Sequence, residues 1–152
     1  MNPTQRNNLA RLAVYCHRLP KGYEHFDMRA FCSIGGDPCK TPGYILQCGT
    51  TACFAGHGPS AGIPPLPEET WGRYIARAFG CNAEDFVWSW LFGIFWPNDI
   101  TAACKRAAWI MDEHDIPNGF SVDFEALVAS EEYKAFEPDW KRIEKMAEEV
   151  VS

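Results

Sequence analysis

Wherever proline and glycine leave this chain uninterrupted, its apolar residues recur three and four positions apart. That spacing places them on one face of an α-helix. Leu9, Leu12, Ala13, Cys16 and Leu19 mark residues 4–19 as an amphipathic helix, ended by Pro20 and Gly22. Trp71, Tyr74, Ile75 and Ala78 mark a second, closed by Gly80 as its C-terminal cap. Residues 85–95 are apolar on nearly every side, which predicts a buried, central helix. After a turn at Trp96-Pro97-Asn98-Asp99, Asp99 or Thr101 caps a helix whose face carries Ala103, Cys104, Ala107, Ile110, Met111 and His114. Pro117-Asn118-Gly119 ends it. Phe124, Leu127 and Val128 suggest a further helix capped by Asp123, and Trp140, Ile143, Ala147 and Val150 a last one. No pairs of alternating strands occur. The expected fold class is therefore mainly α: a single compact helical domain over residues 1–152, of about six helices, with long ordered Pro/Gly loops and at most a minor β element. A chain of 152 residues buries roughly 70% of its unfolded surface and needs neither metal nor disulfide to fold.

The stretches between helices are of two kinds. Residues 20–47 carry the breakers Gly35, Gly36, Pro38, Pro42 and Gly43, with Phe26, Met28, Phe31 and Ile34 as anchors and room for a short strand at 44–47. Residues 58–67 are too rich in Pro and Gly for regular structure. They are also too apolar, at Ile63 and Leu66, for a free linker. A rigid loop presenting Ile63 and Leu66 to a partner is the functional reading of that stretch.

Charge separates along the chain. Residues 1–110 hold ten Lys/Arg against eight Asp/Glu, whereas residues 111–152 hold four against twelve, giving +2 and −8 of the net −6. An acidic surface repels nucleic acid and anionic membrane, so direct nucleic-acid binding is disfavoured and a basic protein partner is favoured. The six acids Glu131, Glu132, Glu137, Asp139, Glu148 and Glu149 are the partner-binding candidates; the plain alternative is a solvated helix face. The longest apolar run, residues 86–96, is about half of what a membrane span needs. Seven cysteines, an odd number, and a polar N-terminus fit a reducing cytoplasm with most thiols buried.

The densest local signal is Cys48-Gly49-Thr50-Thr51-Ala52-Cys53-Phe54-Ala55-Gly56-His57. With Thr50 or Thr51 as cap, Cys53 and His57 lie four apart on one helix face and could hold one ion. Cys48 could supply a third ligand and Cys32 or Cys39 a fourth, completing a tetrahedral zinc site. The spacing is not a common zinc pattern, and Cys is among the most buried residue types without any metal. A Cys48 thiolate with His57 as base is a second reading, but no third orienting group is evident. The Gly56-to-Gly62 stretch lacks the following helix that a phosphate loop requires. Glu131 and Glu132 do not face each other on a helix, so they form no carboxylate dyad. His17, His25 and His114 read as isolated capping or surface histidines, and most of the six tryptophans read as core.

The Cys-Gly-Thr-x-x-Cys-x-x-Gly-His stretch resembles the mark of a loose group of small phage, prophage and bacterial proteins. Their other elements correspond here to Phe26-Asp27-Met28, Trp71 with Tyr74, Trp88 with Phe92, Trp96, Asp99 and the Ala-rich residues 102–108. The likeness covers roughly residues 26–115. It implies a phage or prophage origin, and such accessory proteins often bind and block a host protein, including defence components in the manner of anti-CRISPR proteins. The expectation is thus a non-enzymatic, cytoplasmic inhibitor of a host protein that needs no cofactor. The alternative is a zinc- or thiol-dependent domain centred on Cys48, Cys53 and His57.

Overall fold

The computed structural model describes residues 1–20, 22–29, 33–34, 37–38, 50–118 and 121–149, without side-chain placement at 33, 34, 37, 38, 50, 51 and 121. Seven α-helices carry the described fold: α1 (Pro3–His17), α2 (Trp71–Phe79), α3 (Phe86–Phe92), α4 (Ile100–Met111), α5 (Ser121–Ala129), α6 (Glu131–Ala135) and α7 (Trp140–Glu148). Three two-residue strands, β1 (Ser33–Ile34), β2 (Asp37–Pro38) and β3 (Thr50–Thr51), pair antiparallel in the order β2-β1-β3. They set Ser33 opposite both Pro38 and Thr51. The mainly helical single domain and the minor β element are as expected; the strand foreseen at 44–47 lies outside the described residues.

The hub is α1. Its first turn is closed reciprocally: Asn2 Oδ1 accepts from the Gln5 N–H, and Gln5 Oε1 accepts from the Asn2 N–H, each at 2.9 Å. Leu9, Leu12, Ala13 and Cys16 are buried as the periodicity demands, and Ala10 and Val14 widen the stripe. That broad face packs on α2, α4 and α7. Two polar side chains of α1 tie down the far end of α7. Asn7 Nδ2 donates to the Met146 and Glu149 carbonyls at 2.6 and 3.0 Å, and Arg11 Nε to Ala147 O at 3.2 Å. Carbonyls left open at a helix C-terminus are satisfied this way.

The expected central helix over 85–95 is corrected. It stops at Phe92, packs mainly on α4, and leaves Ile94 72% and Phe95 41% exposed. Gly93 is the cause. It turns the chain to an extended ψ of 136°, and a Cβ there would overlap the Ser89 carbonyl and the Phe95 ring. Three further expectations shift. Thr50 and Thr51 lie in a strand, and the turn that follows takes Phe54 at its cap position. Asp123 sits inside the first turn of α5, which begins at Ser121. His114 falls beyond the end of α4 and stacks on Trp109, ring centres 3.9 Å apart.

At the heart of the second half lies Trp90, with no exposed surface. Its ring meets Trp96, Phe124 and Tyr133 edge-on, and its Nε1 donates to the Arg106 carbonyl at 2.9 Å. Arg106, 2% exposed, lies over the Trp96 ring at 4.3 Å and donates Nε to the Trp90 carbonyl at 3.1 Å. No described carboxylate forms an ion pair with it, and its Nη2 has no hydrogen-bond partner. Burial accordingly pulls its pKa down to about 10. The Trp96 face under this guanidinium offsets part of the missing counter-ion.

Candidate functional site

The sequence predicts a short helix at residues 52–57, on which Cys53 and His57 share a face and could hold an ion. Instead these residues make a bridge and a single 3-10 turn. Ala52 pairs with the Phe26 region, Ala52 N–H donating to the His25 carbonyl and Asp27 N–H to the Ala52 carbonyl. The turn Ala55–His57 then folds the imidazole back onto its own chain. His57 Nδ1 lies 2.7 Å from the Cys53 carbonyl oxygen. A carbonyl only accepts, so Nδ1 carries a proton. The ring packs among Tyr15, Tyr23 and Phe26 and is 4% exposed. Its link to residue 53 runs through the backbone oxygen. The Cys53 sulfur accepts from the Gly56 N–H at 3.4 Å.

The electrostatics agree with a packed interior. Burial pushes the Cys53 thiol up to about 11 and holds His57 below the usual histidine range. Cys16 is raised well above its ordinary value by burial first, then by its neighbours Cys104 and Cys53. Cys81 and Cys104 are each pushed up to about 12, mainly by burial. A nucleophilic thiol needs the opposite shift. Among the described residues, no group of three His, Cys, Asp or Glu is placed to hold a metal ion. The other candidate ligands, Cys32, Cys39 and Cys48, lie outside the described residues.

Because the folded chain holds His57 neutral, the unfolded chain takes up the proton first as pH falls through about 6.5. Stability contributed by this residue is complete above that pH and drains below it, at up to about 1.4 kcal/mol per pH unit. Urea midpoints of the wild type should therefore fall more steeply from about pH 7 to about pH 5 than those of His57→Gln. Parallel profiles would show that His57 takes up its proton equally in the folded and unfolded chains, contradicting a buried imidazole held neutral.

The partner-binding candidates divide. All six acids are exposed: Glu131 and Glu132 in the first turn of α6, Glu137 and Asp139 between α6 and α7, and Glu148 and Glu149 at the end of α7. Asp139 also caps α7, Oδ1 accepting from the Arg142 N–H at 3.2 Å. None of the six is ion-paired to a described residue, whereas Asp112, Glu113 and Glu144 meet Arg142, Arg6 and Arg18. Leu66 is 55% exposed. Ile63 is not a contact residue: it is 3% exposed, and its carbonyl accepts from the Tyr74 hydroxyl at 2.6 Å. The loop folds inward because Arg77 also holds it, donating Nη2 to the Pro64 carbonyl and pairing with Glu69 at 2.7 Å.

Two features escaped the pattern of the sequence. One is the clustering of Cys16 and Cys104 near Cys53, which joins residues far apart in the chain. The other is a groove of about 620 Å³ between the end of α1 and the start of α4, floored by Cys16 and Phe26. Its rim carries His17, Tyr23, Asp99 and Thr101. Spacing gives no sign of it, because residues 16–26 form one wall and residues 98–101 the other. His17, expected to be isolated, stacks on Trp140 with ring centres 3.8 Å apart and so joins the groove's rim to α7. Most tryptophans are core, as expected: Trp71, Trp90, Trp96 and Trp109 are buried, Trp88 and Trp140 half-buried. No family model, curated protein or solved structure matches the chain.

Proposed function

We propose that this chain is a binding protein whose acidic α6–α7 surface occupies a basic surface of a host protein and inhibits it. The observation that carries the reading is the set of six exposed carboxylates without an ion pair to a described residue. Carboxylates left open in this way raise the encounter rate with a basic partner and suppress acidic ones. The thiol-centred alternative draws no support from the described residues, since Cys53 and His57 are held neutral and buried. Among the described residues no helix is long and apolar enough to cross a membrane. The cytoplasm of the infected or lysogenic cell is the setting this reading assigns. The resemblance to phage and prophage proteins favours a host target, with defence components as the first class to examine.

Affinity capture from host lysate tests this. The bait is compared with a variant carrying Gln or Asn at Glu131, Glu132, Glu137, Asp139, Glu148 and Glu149. The wild type should retain a protein with a basic surface, released by salt, and should inhibit that protein's activity after purification. Retention by the variant should fall at least about tenfold, the equivalent of about 1.4 kcal/mol. Equal retention by both baits would contradict the proposal.

A further inference from the structure

A narrow pocket of about 50 Å³ opens between the end of α4 and α7. Its floor is apolar, made by Met111, Phe136, Ile143 and Met146. Its rim is charged, and the charges do not balance. Asp112, Glu137 and Asp139 stand against Arg142, the one cation among the lining residues. Arg142 is already engaged, since its Nη1 donates to Asp112 Oδ1 at 2.6 Å. His114 Nε2 lies 3.2 Å from the other Asp112 oxygen and does not line the pocket. Asp139 uses Oδ1 to accept from the Arg142 N–H at 3.2 Å. No described group bonds to Asp139 Oδ2 or to the Glu137 carboxylate, so two carboxylates face the pocket open. An anion gains little at the start of α7, because Asp139 covers the Arg142 N–H. Neither Trp140 nor Lys141, the other first-turn donors, lines the pocket. The stretches 119–120 and 150–152, next to these elements, contain no lysine, arginine or histidine.

From this floor and rim we infer that the pocket anchors a lysine side chain of the basic partner, its stem lying along Met111, Phe136, Ile143 and Met146 and its ammonium between Glu137 and Asp139. A water-sized group takes about 10–15 Å³ of such space, so the pocket has room for about three or four in a row. An unbranched stem fits and an aromatic ring does not. The stem stays on apolar surface while the charged head remains at the wet rim. Lysine suits this rim better than arginine. Its ammonium is a compact charge whose donors reach separate acceptors, whereas a guanidinium fork matches a single carboxylate. An apolar side chain would cover the same floor and leave both carboxylates unanswered. The assignment rests on the reading of a basic partner and adds the point at which that partner is gripped. It also divides the six acids: Glu137 and Asp139 act in contact, the other four at a distance.

The test uses the whole chain, ¹⁵N-labelled, titrated at low salt with N-acetyl-L-lysine amide, N-acetyl-L-arginine amide and N-acetyl-L-norleucine amide. The last keeps the stem and lacks the charge. Saturable shifts at Met111, Ile143 and Met146 are expected with lysine, at least about fivefold weaker with arginine and absent with norleucine. Glu137→Gln removes an exposed carboxylate that bonds to no described group, so the fold is kept. It should weaken the lysine titration about fivefold or more. Glu148→Gln, the same change outside the pocket, should titrate as the wild type does. No response to lysine, an equal response to arginine or norleucine, or unchanged lysine binding in Glu137→Gln would overturn the assignment. The probes report on the pocket without any host protein. Failure of the lysine titration therefore leaves capture through the acidic surface standing, and a positive titration with no partner captured counts against the inhibitor reading alone.

Discussion

Trp90→Ala should lose about 4 kcal/mol of stability, a large share of the roughly 5–15 kcal/mol available to a domain of this size. An indole buries on the order of 200 Å², worth about 5 kcal/mol at about 25 cal/mol per Å². Trp90 has no exposed surface, and it is the piece against which Trp96, Phe124 and Tyr133 rest. Truncation removes the donor to the Arg106 carbonyl and opens a cavity beside a buried, partly unpaired guanidinium. It also releases α5 and α6, which touch the rest of the fold largely through Phe124 and Tyr133. Trp90→Phe keeps most of the area and should cost about half as much. Urea denaturation followed by near-ultraviolet circular dichroism measures both. A loss under about 1 kcal/mol for the alanine variant would mean that this aromatic cluster does not organise the second half of the chain.

The second large effect is at Gly58. Its backbone is ordinary, with φ −55° and ψ −50°, so any residue could adopt it. The obstacle is space: a Cβ would overlap the Tyr74 hydroxyl and come 3.1 Å from the Ala55 carbonyl oxygen. Tyr74 cannot retreat. It is fully buried, meets Trp71 and Phe79 edge-on, and donates to the Ile63 carbonyl. Gly58→Ala should therefore cost about 3 kcal/mol. Tyr74→Phe alone should cost about 1–2 kcal/mol by leaving the Ile63 carbonyl unpaired. The double variant should be less damaged than the sum, because removing the hydroxyl gives the new methyl its room. Additive losses would show that the overlap is relieved elsewhere.

How much of this was legible depended on the kind of information each feature uses. The stripes of α1, α2, α4 and α7 were readable because each buries one face, and periodicity reports a buried face directly. What periodicity does not report is how many neighbours that face meets. The hub was therefore assigned to the most apolar run, 85–95, and fell instead to α1. Gly93 was visible in the sequence, but the Ser89 carbonyl and Phe95 ring that demand a glycine there are contacts of the folded chain. The helix α6 went unread because Ser130 does two jobs. Its hydroxyl donates to the Leu127 carbonyl at the end of α5 and accepts from the Tyr133 N–H at the start of α6. One serine thus ends one helix and begins the next, which a single continuous stripe conceals.

The candidate site was legible in its charges and not in its shape. Carboxylates such as Glu131 and Glu132 are expensive to bury, so their exposure follows from their chemistry. Ile63 misled because a Pro/Gly-rich loop suggests surface, whereas Tyr74 and Arg77 draw this one inward. Cys53 and His57 misled through an assumed helix; in a 3-10 turn the imidazole reaches the carbonyl of residue 53. The groove joins α1 to α4 across the molecule, and no local pattern encodes such a pairing.

The proposed recognition is carried by charge on α6 and α7. It is tested most directly by the dissociation constant of the purified partner at about 50 mM and about 500 mM salt, for the wild type and for the six-position neutral variant. Wild-type affinity should fall at least about tenfold over that range. The variant should bind weakly at low salt and change little. An affinity that ignores salt and is equal in the two proteins would contradict it.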